Sequence, residues 1–287
     1  MSDRALQHRP ARGHGETGMS LSQTLRVIRR LLVIDLSTAL TYRAEFVMFM
    51  ISTVLSPAIS LMVWRTALAN GAALPVDAAY LTTYFVLLGV ISMLTSSWSA
   101  AFLAEEIRLG QLSKWLIRPG STHLNTIANN LSEKLIKAVP LAPMIALLWW
   151  IFRDAVALPA NPGTWLLFVV SVVAAAVMVV ALDIIVGALA FWIDDITGID
   201  RARALLMMVF RGQLVPLALM PAWSQGAIDV QPFRFTLSFS LELLLGGLSS
   251  SQVAVGMALQ LLYPALTVLA AIWIWRRGLR AYAAAGA

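Results

Sequence analysis

Apolar runs about twenty residues long alternate with short charged or Gly- and Pro-marked interruptions along most of this chain. A run of that length makes a helix able to cross the ~30 Å hydrocarbon core of a bilayer. Six such helices are expected, over residues 46–68, 80–103, 131–152, 164–192, 204–220 and 252–275. Asn70-Gly71 ends the first, and Pro57 in its middle is expected to kink it or loosen one backbone bond. The second is rich in Ser and Thr. Pro140 and Pro143 are expected to interrupt the third, whose Trp149-Trp150 pair suits an interfacial aromatic belt. Residues 221–251 hold apolar pieces too short to span, broken by Asp229, Pro232, Arg234, Glu242 and Gly246-Gly247. Short re-entrant helices packed against protein are expected there. The ten-residue alternating strands of a membrane barrel are absent. The fold class is therefore all-α integral membrane, with one transmembrane domain over residues 21–287.

The N-terminal residues follow a different pattern. Leu21, Leu25, Ile28, Leu32 and Leu36 form one helical stripe, with Arg26, Arg29 and Arg30 beside it. Such a segment is too charged to span and suits an interfacial helix on an anionic leaflet, each basic residue being worth ~1 kcal/mol near the surface. Residues 1–20 are polar with no apolar period, and a disordered tail rather than a signal peptide is expected.

The largest charged interruption is residues 104–120, AEEIRLGQLSKWLIRPG. Glu105, Glu106, Arg108, Lys114 and Arg118 lie close together there. From Gly110 onward, Leu112, Trp115 and Leu116 keep i, i+3, i+4 spacing, and Gln111, Lys114 and Arg118 take the other side. Gly110 can end the preceding helix, and Pro119-Gly120 stops the next one. Two readings fit: an amphipathic helix offered to the membrane surface or a soluble partner, and an ordinary basic loop.

Composition narrows the class. The chain of 287 residues is 59% hydrophobic and 13% charged, about half the charged share of a soluble domain, with mean hydropathy +0.78. With no cysteine, thiolate metal sites, disulfides and cysteine nucleophiles are excluded. The net charge of +6 reads through its placement, not as affinity for nucleic acid. With both termini inside, 17 of the 21 Lys and Arg residues fall on the cytoplasmic side. That bias favours six crossings with both ends in the cytoplasm.

Candidate chemistry is sparse. The chain has no G-x-x-x-x-G-K-[ST] phosphate loop, no G-x-S-x-G and no H-E-x-x-H, and His8, His14 and His123 form no ligand cluster. Two ionisable residues fall within expected spans, where charge is costly. Asp183 lies near the cytoplasmic end of the fourth helix, as either an interfacial, paired carboxylate or a group on the substrate path. Arg211 lies about ten residues into the expected fifth helix, near mid-membrane at ~1.5 Å per residue. It is either a structural partner of Asp183 or a group on the substrate path.

This layout resembles the membrane subunits of ABC exporters, the six-helix permeases for drugs, lipids and polysaccharides. The resemblance rests on the amphipathic lead-in, Y-R-A-E-F at 42–46, E-I-R-L-G-Q-L-S-K-W-L-I-R-P at 106–119, V-P-L-A-L-M-P at 215–221, and the R-G-L-R-A-Y-A-A-A-G-A ending. It departs at Arg211, where the family pattern carries a small polar residue. The resemblance implies a bacterial inner-membrane protein, not itself an enzyme. Glu105, Glu106, Arg108, Gln111, Lys114, Trp115 and Arg118 would couple it to a separate ABC ATPase subunit. ATP and Mg would sit on that partner and no cofactor on this chain. A second permease copy or a sister permease, and membrane lipid, would be its other partners. An ATP-independent secondary transporter would instead show inverted repeats and a buried ion-coupling carboxylate; no repeat is visible, and Asp183 alone offers the carboxylate. A membrane-embedded enzyme would need a polar cluster at one interface.

The expected topology is testable because the chain carries no background thiol. Cysteines replacing Ala72 and Ser224 should react with an impermeant thiol reagent in intact cells, and cysteines replacing Ser113 and Ser121 only after lysis. A reversed pattern at either pair overturns the orientation.

Overall fold

A computed structural model describes residues 43–112, 122–153, 155, 156 and 158–285. The expected tail over 1–20 and all but the last residue of the amphipathic segment over 21–43 lie outside the described residues. So do Lys114, Trp115 and Arg118 and the cysteine positions 113 and 121.

Every regular element among the described residues is helical. The long elements are α1 (Arg43–Ala69), α2 (Ala78–Thr95), α3 (Ser99–Arg108), α4 (Thr122–Phe152) and α5 (Pro162–Ala188), which runs on into a 3-10 turn at Leu189–Phe191. They are followed by α6 (Thr197–Phe210), α7 (Gln225–Val230), α8 (Ser238–Leu245) and α9 (Ser250–Ala285). Short 3-10 turns at Leu217–Leu219, Ala222–Ser224 and Pro232–Thr236 link the pieces between α6 and α8. Four stretches are long and apolar enough to cross a membrane: Ala78–Arg108, Asn129–Phe152, Pro162–Phe191 and Ser250–Tyr282. Thr53–Ala69 within α1 is a shorter apolar helix.

Local chemistry accounts for the ends. The Asp77 carboxylate accepts the Tyr80 amide at 2.7 Å and caps α2. Asn161 does the same for α5, with Pro162 in the first turn, where its missing N–H costs nothing. Gly246 closes α8 at φ +71.

Two expectations about breaks are corrected. Pro140 and Pro143 lie inside α4, which runs unbroken from Thr122 to Phe152; a span tolerates proline where neighbours satisfy the freed backbone groups. The helix expected over 80–103 is the one that breaks, at Ser96, Ser97 and Trp98. There the Ser96 hydroxyl donates to the Met93 carbonyl at 2.9 Å and the Thr95 hydroxyl to that of Ile91 at 2.9 Å. Side chains that bond to their own backbone offer an alternative to the helical ladder, and Ser96 leaves it at φ −74, ψ 154.

The expected fifth helix is also shorter than its apolar run. It ends at Phe210, ten residues before position 220, so α6 is 14 residues and ~21 Å long, less than the ~30 Å hydrocarbon core. Gly212 follows at φ +82, and its carbonyl accepts the Tyr84 hydroxyl at 2.7 Å. A Cβ there would sit 2.6 Å from the same hydroxyl and 3.0 Å from Ser238 Oγ. The chain turns because only glycine fits against α2 and α8 at that point.

The bundle is organised on α5, against which α2, α3, α8 and α9 all pack. Its buried face is built largely of small residues, Ser171, Ala174, Ala175, Ala181, Gly187 and Ala188, which lets backbones come close where hydrophobic exclusion cannot drive association. At Gly187 an added Cβ would lie 2.9 Å from the Ala100 carbonyl of α3. At Gly278 of α9 it would lie 2.0 Å from the Phe191 ring, itself edge-on to Trp275 and Tyr282. Buried Gln260 of α9 donates to the carbonyls of Ser171 at 3.1 Å and Phe235 at 3.0 Å.

Between α6 and α9 the chain forms only the short helices α7 and α8 and the 3-10 turns. Their charges pair with one another: Arg234 donates to Asp229 at 2.8 Å and to Glu242 at 3.1 Å, and Ser238 donates to the second Glu242 oxygen at 2.9 Å. This network lines a cavity of about 640 Å³ that Asp77, Tyr80 and Gln225 share.

Candidate functional site

The helix break at Ser96–Trp98 is where polar groups from four other parts of the chain converge. Trp98 gives no side-chain cap to α3, so the first amides of that helix need an acceptor from elsewhere. Asp183 of α5 supplies it. One carboxylate oxygen accepts the Ser99 amide at 2.7 Å, and the other pairs with Arg203 of α6. The carboxylate also lies at the positive end of the α3 dipole. Arg203 in turn donates to Asp200 from Nε at 3.1 Å and from Nη2 at 2.7 Å. On the other side of the break, Lys134 of α4 donates to the Ser96 carbonyl at 2.7 Å and also bonds Asn130. Asp183 has no exposed surface, yet both of its oxygens are matched. The clamp thus joins α3, α4, α5 and α6.

From this anchored end α3 runs outward as an arm. Leu103 and Ile107 are buried in a cluster with Ala181, Ile184, Ala271 and Trp275. Glu105 and Arg108 are exposed, and Glu106 is half-buried. The arm ends as expected: Gly110 takes φ +69, and the Gln111 amide reaches back to the Glu106 carbonyl at 2.9 Å. Leu112 is the one described residue of the apolar spacing Leu112, Trp115 and Leu116, and it turns to the core, not to membrane or partner. It is fully buried in the same cluster as Trp275, because the turn at Gly110 folds it back onto α5 and α9. Gln111 is half-buried beside it. Lys114, Trp115 and Arg118 lie outside the described residues.

Beyond the 3-10 turn, the connection to α6 carries its own cap. Asp195 accepts the Thr197 amide at 2.8 Å, and hydrogen bonds from the Thr197 side chain and backbone hold its carboxyl below the usual range.

Arg211 and Asp183 do not meet. Arg203, nearly two turns into α6, takes the carboxylate, while Arg211 caps the far end of the same helix, 8% exposed, with Nε donating to Gln213 at 3.0 Å. A guanidinium at a helix C-terminus faces unpaired carbonyls and the negative end of the dipole. Among the described residues no carboxylate lies in ion-pair range of it.

Sequence reasoning missed Arg203, Lys134 and Ser99. The signal available was weak: Arg203 sits three residues after Asp200, an i, i+3 pair, and Ser96-Ser97-Trp98-Ser99 is a polar cluster inside a spanning run. The Arg234–Glu242 pair was more legible, since Glu242 stands alone in the apolar run 241–245. Among the described residues no three His, Asp or Glu side chains come close enough to hold a metal.

A family model described as "ABC-2 family transporter protein" matches residues 54–286. No curated protein and no solved structure matches the chain.

The clamp makes a measurable demand. Asp183→Ala should destabilise the purified protein by about 3 kcal/mol, the low end for breaking a buried ion pair, because Asp200 still engages Arg203. Asp183→Asn keeps an oxygen for the Ser99 amide and should recover part of the loss. Thermal melting in detergent reads both. Wild-type melting of Asp183→Ala would mean the carboxylate holds nothing.

Proposed function

This chain belongs to the ABC-2 family of transporter proteins, and on that premise we propose that it is the membrane-spanning subunit of an ATP-driven exporter in a bacterial inner membrane. A separate ABC ATPase subunit, carrying ATP and Mg, drives it through the 104–120 stretch, and both termini face the cytoplasm. A second permease copy or a sister permease completes the path.

The observation that carries the coupling reading is the arm. A lever needs a rigid body, an anchored end and a free polar end. In α3 the buried stripe Leu103, Ile107 and the close approach at Gly187 supply the first, the Asp183–Ser99 cap supplies the second, and exposed Glu105 and Arg108 supply the third. Force on the loop that follows would reach the helix break, where α4, α5 and α6 are tied together. The absence of any phosphate loop in the sequence agrees with hydrolysis on another chain.

Arg211 takes a role on the substrate path in this reading. Over most of α6 the apolar residues Leu205, Leu206, Met208, Val209 and Phe210 are exposed in the single chain. A second permease facing this helix would enclose a path with Arg211 at its end, where a guanidinium favours an anionic head group.

Two experiments test the proposal. With a candidate ABC ATPase subunit co-purified, Trp115→Ala and Lys114→Glu should leave the complex folded but uncouple hydrolysis from transport; normal coupling in both variants sinks the docking role. Arg211→Gln should preserve expression and assembly and lower transport, with Arg211→Lys retaining part of it. A loss of melting temperature with transport per folded molecule unchanged would make Arg211 a helix cap only.

A further inference from the structure

The C-terminal part of α9 presents two faces with different tasks. Ala271, Trp275, Gly278 and Tyr282 recur at helical spacing and pack inward on α3, α5 and the 3-10 turn. That contact leaves no freedom in which face looks outward. The outward face carries Leu269, Ile272, Trp273, Arg276, Arg277 and Arg280, which line a surface depression of about 450 Å³. Trp273 is 56% exposed. The three arginines are exposed, and among the described residues no carboxylate lies in ion-pair range of them.

We infer that this depression binds an anionic phospholipid of the surrounding leaflet by its head-group phosphate. The first argument is depth. The span Ser250–Tyr282 changes from apolar to basic between Leu269 and Arg280, within ~16 Å at 1.5 Å per residue. A helix that crosses the bilayer puts such a boundary at the head groups, where tryptophan also concentrates. The second is preorganisation. The Arg277 guanidinium lies 4.4 Å from the centroid of the Trp273 ring, a stacking contact that fixes the fork. The in-plane N–H groups of a stacked guanidinium remain available to a phosphate, which they match two at a time. The third is the lining. Leu269 and Ile272 continue the depression toward the membrane interior, so an acyl chain has apolar surface to lie on while the phosphate meets Arg276, Arg277 and Arg280. Zwitterionic lipid would bring an ammonium against three cations, and free phosphate would leave the apolar part unused.

The test uses the full-length protein purified in a neutral detergent. Its melting temperature is titrated with phosphatidylglycerol, with phosphatidylcholine of the same chains, and with inorganic phosphate. Phosphatidylglycerol should raise it, and the other two should not. Arg276→Gln, Arg277→Gln and Arg280→Gln together should weaken the apparent affinity for phosphatidylglycerol about a hundredfold, at roughly a factor of five per basic residue. Arg201→Gln, an exposed arginine on α6, should change nothing. Trp273→Leu keeps every charge and should weaken binding a few-fold, and it decides the matter alone if the triple variant fails to fold. An equal response to phosphatidylcholine means general solvation by lipid. A response to inorganic phosphate alone means a free-anion site. An unchanged phosphatidylglycerol response in Trp273→Leu and the triple variant places the lipid elsewhere. Each of these three results overturns the inference.

Discussion

A carboxylate with no exposed surface, inside a helix that spans a membrane, has to be met by donors that stay where they are. Asp183 imposes that condition on this protein. Its two oxygens take the first amide of α3 and the guanidinium of Arg203, so one residue of α5 fixes where the broken helix restarts and how α6 leans on the bundle. Breaking such a site costs several kcal/mol, because the partners are left buried and unmatched. The rest of the clamp follows from the same constraint. Once the chain stops its helix at Ser96, a half-buried carbonyl is released, and Lys134 reaches across from α4 to satisfy it.

The small residues of α5 make this arrangement reachable. In a lipid environment helices gain little from excluding water, and close backbone contact takes over. Gly187 against Ala100 and Gly278 against Phe191 are two such contacts, and together they hold α3 and α9 on α5 at the end where the charged stretch begins. The far end is held differently, by buried polar groups: Gln260 on two carbonyls, Ser171 on Ser240, and Arg234 between Asp229 and Glu242. An ABC-2 transporter subunit built this way has a stiff centre and leaves α4, α6 and the outer face of α9 uncovered. Those surfaces are available to lipid and to other chains.

Individual residues show why some of this was legible in the sequence. Gly110 ended its helix as glycine in a C-terminal position does, and the short pieces between 221 and 251 declared themselves by Asp229, Pro232 and Glu242 in otherwise apolar sequence. Proline misled: Pro140 and Pro143 sit inside a continuous helix, while three residues without proline break one. The difference is that a missing N–H can be tolerated where neighbouring groups compensate, whereas hydroxyls bonding to their own carbonyls offer the chain a way out of the helix. Gly212 was visible as a glycine, but what stops α6 there is the Tyr84 hydroxyl, 128 positions away in sequence.

By itself, then, the sequence determined the membrane class, the positions of four apolar spans, the family and the position of the charged stretch at 104–120. The class, the spans and the charged stretch depend on composition or on spacing within some twenty residues, and transfer of an apolar run into a bilayer is decided at that range; the family rests on motifs ordered along the whole chain. The tertiary structure decided which partner each buried charge takes. A pair of Asp183 with Arg211 was one of two readings of their places along expected helices, yet Arg203 is the one that reaches the carboxylate. Leu112 had the spacing of a membrane-facing residue and is buried in the core. Helical periodicity assigns residues to faces of one helix; which faces meet is fixed by contacts between distant segments, here the glycine approaches on α5 and the turn at Gly212 that sets where α6 ends.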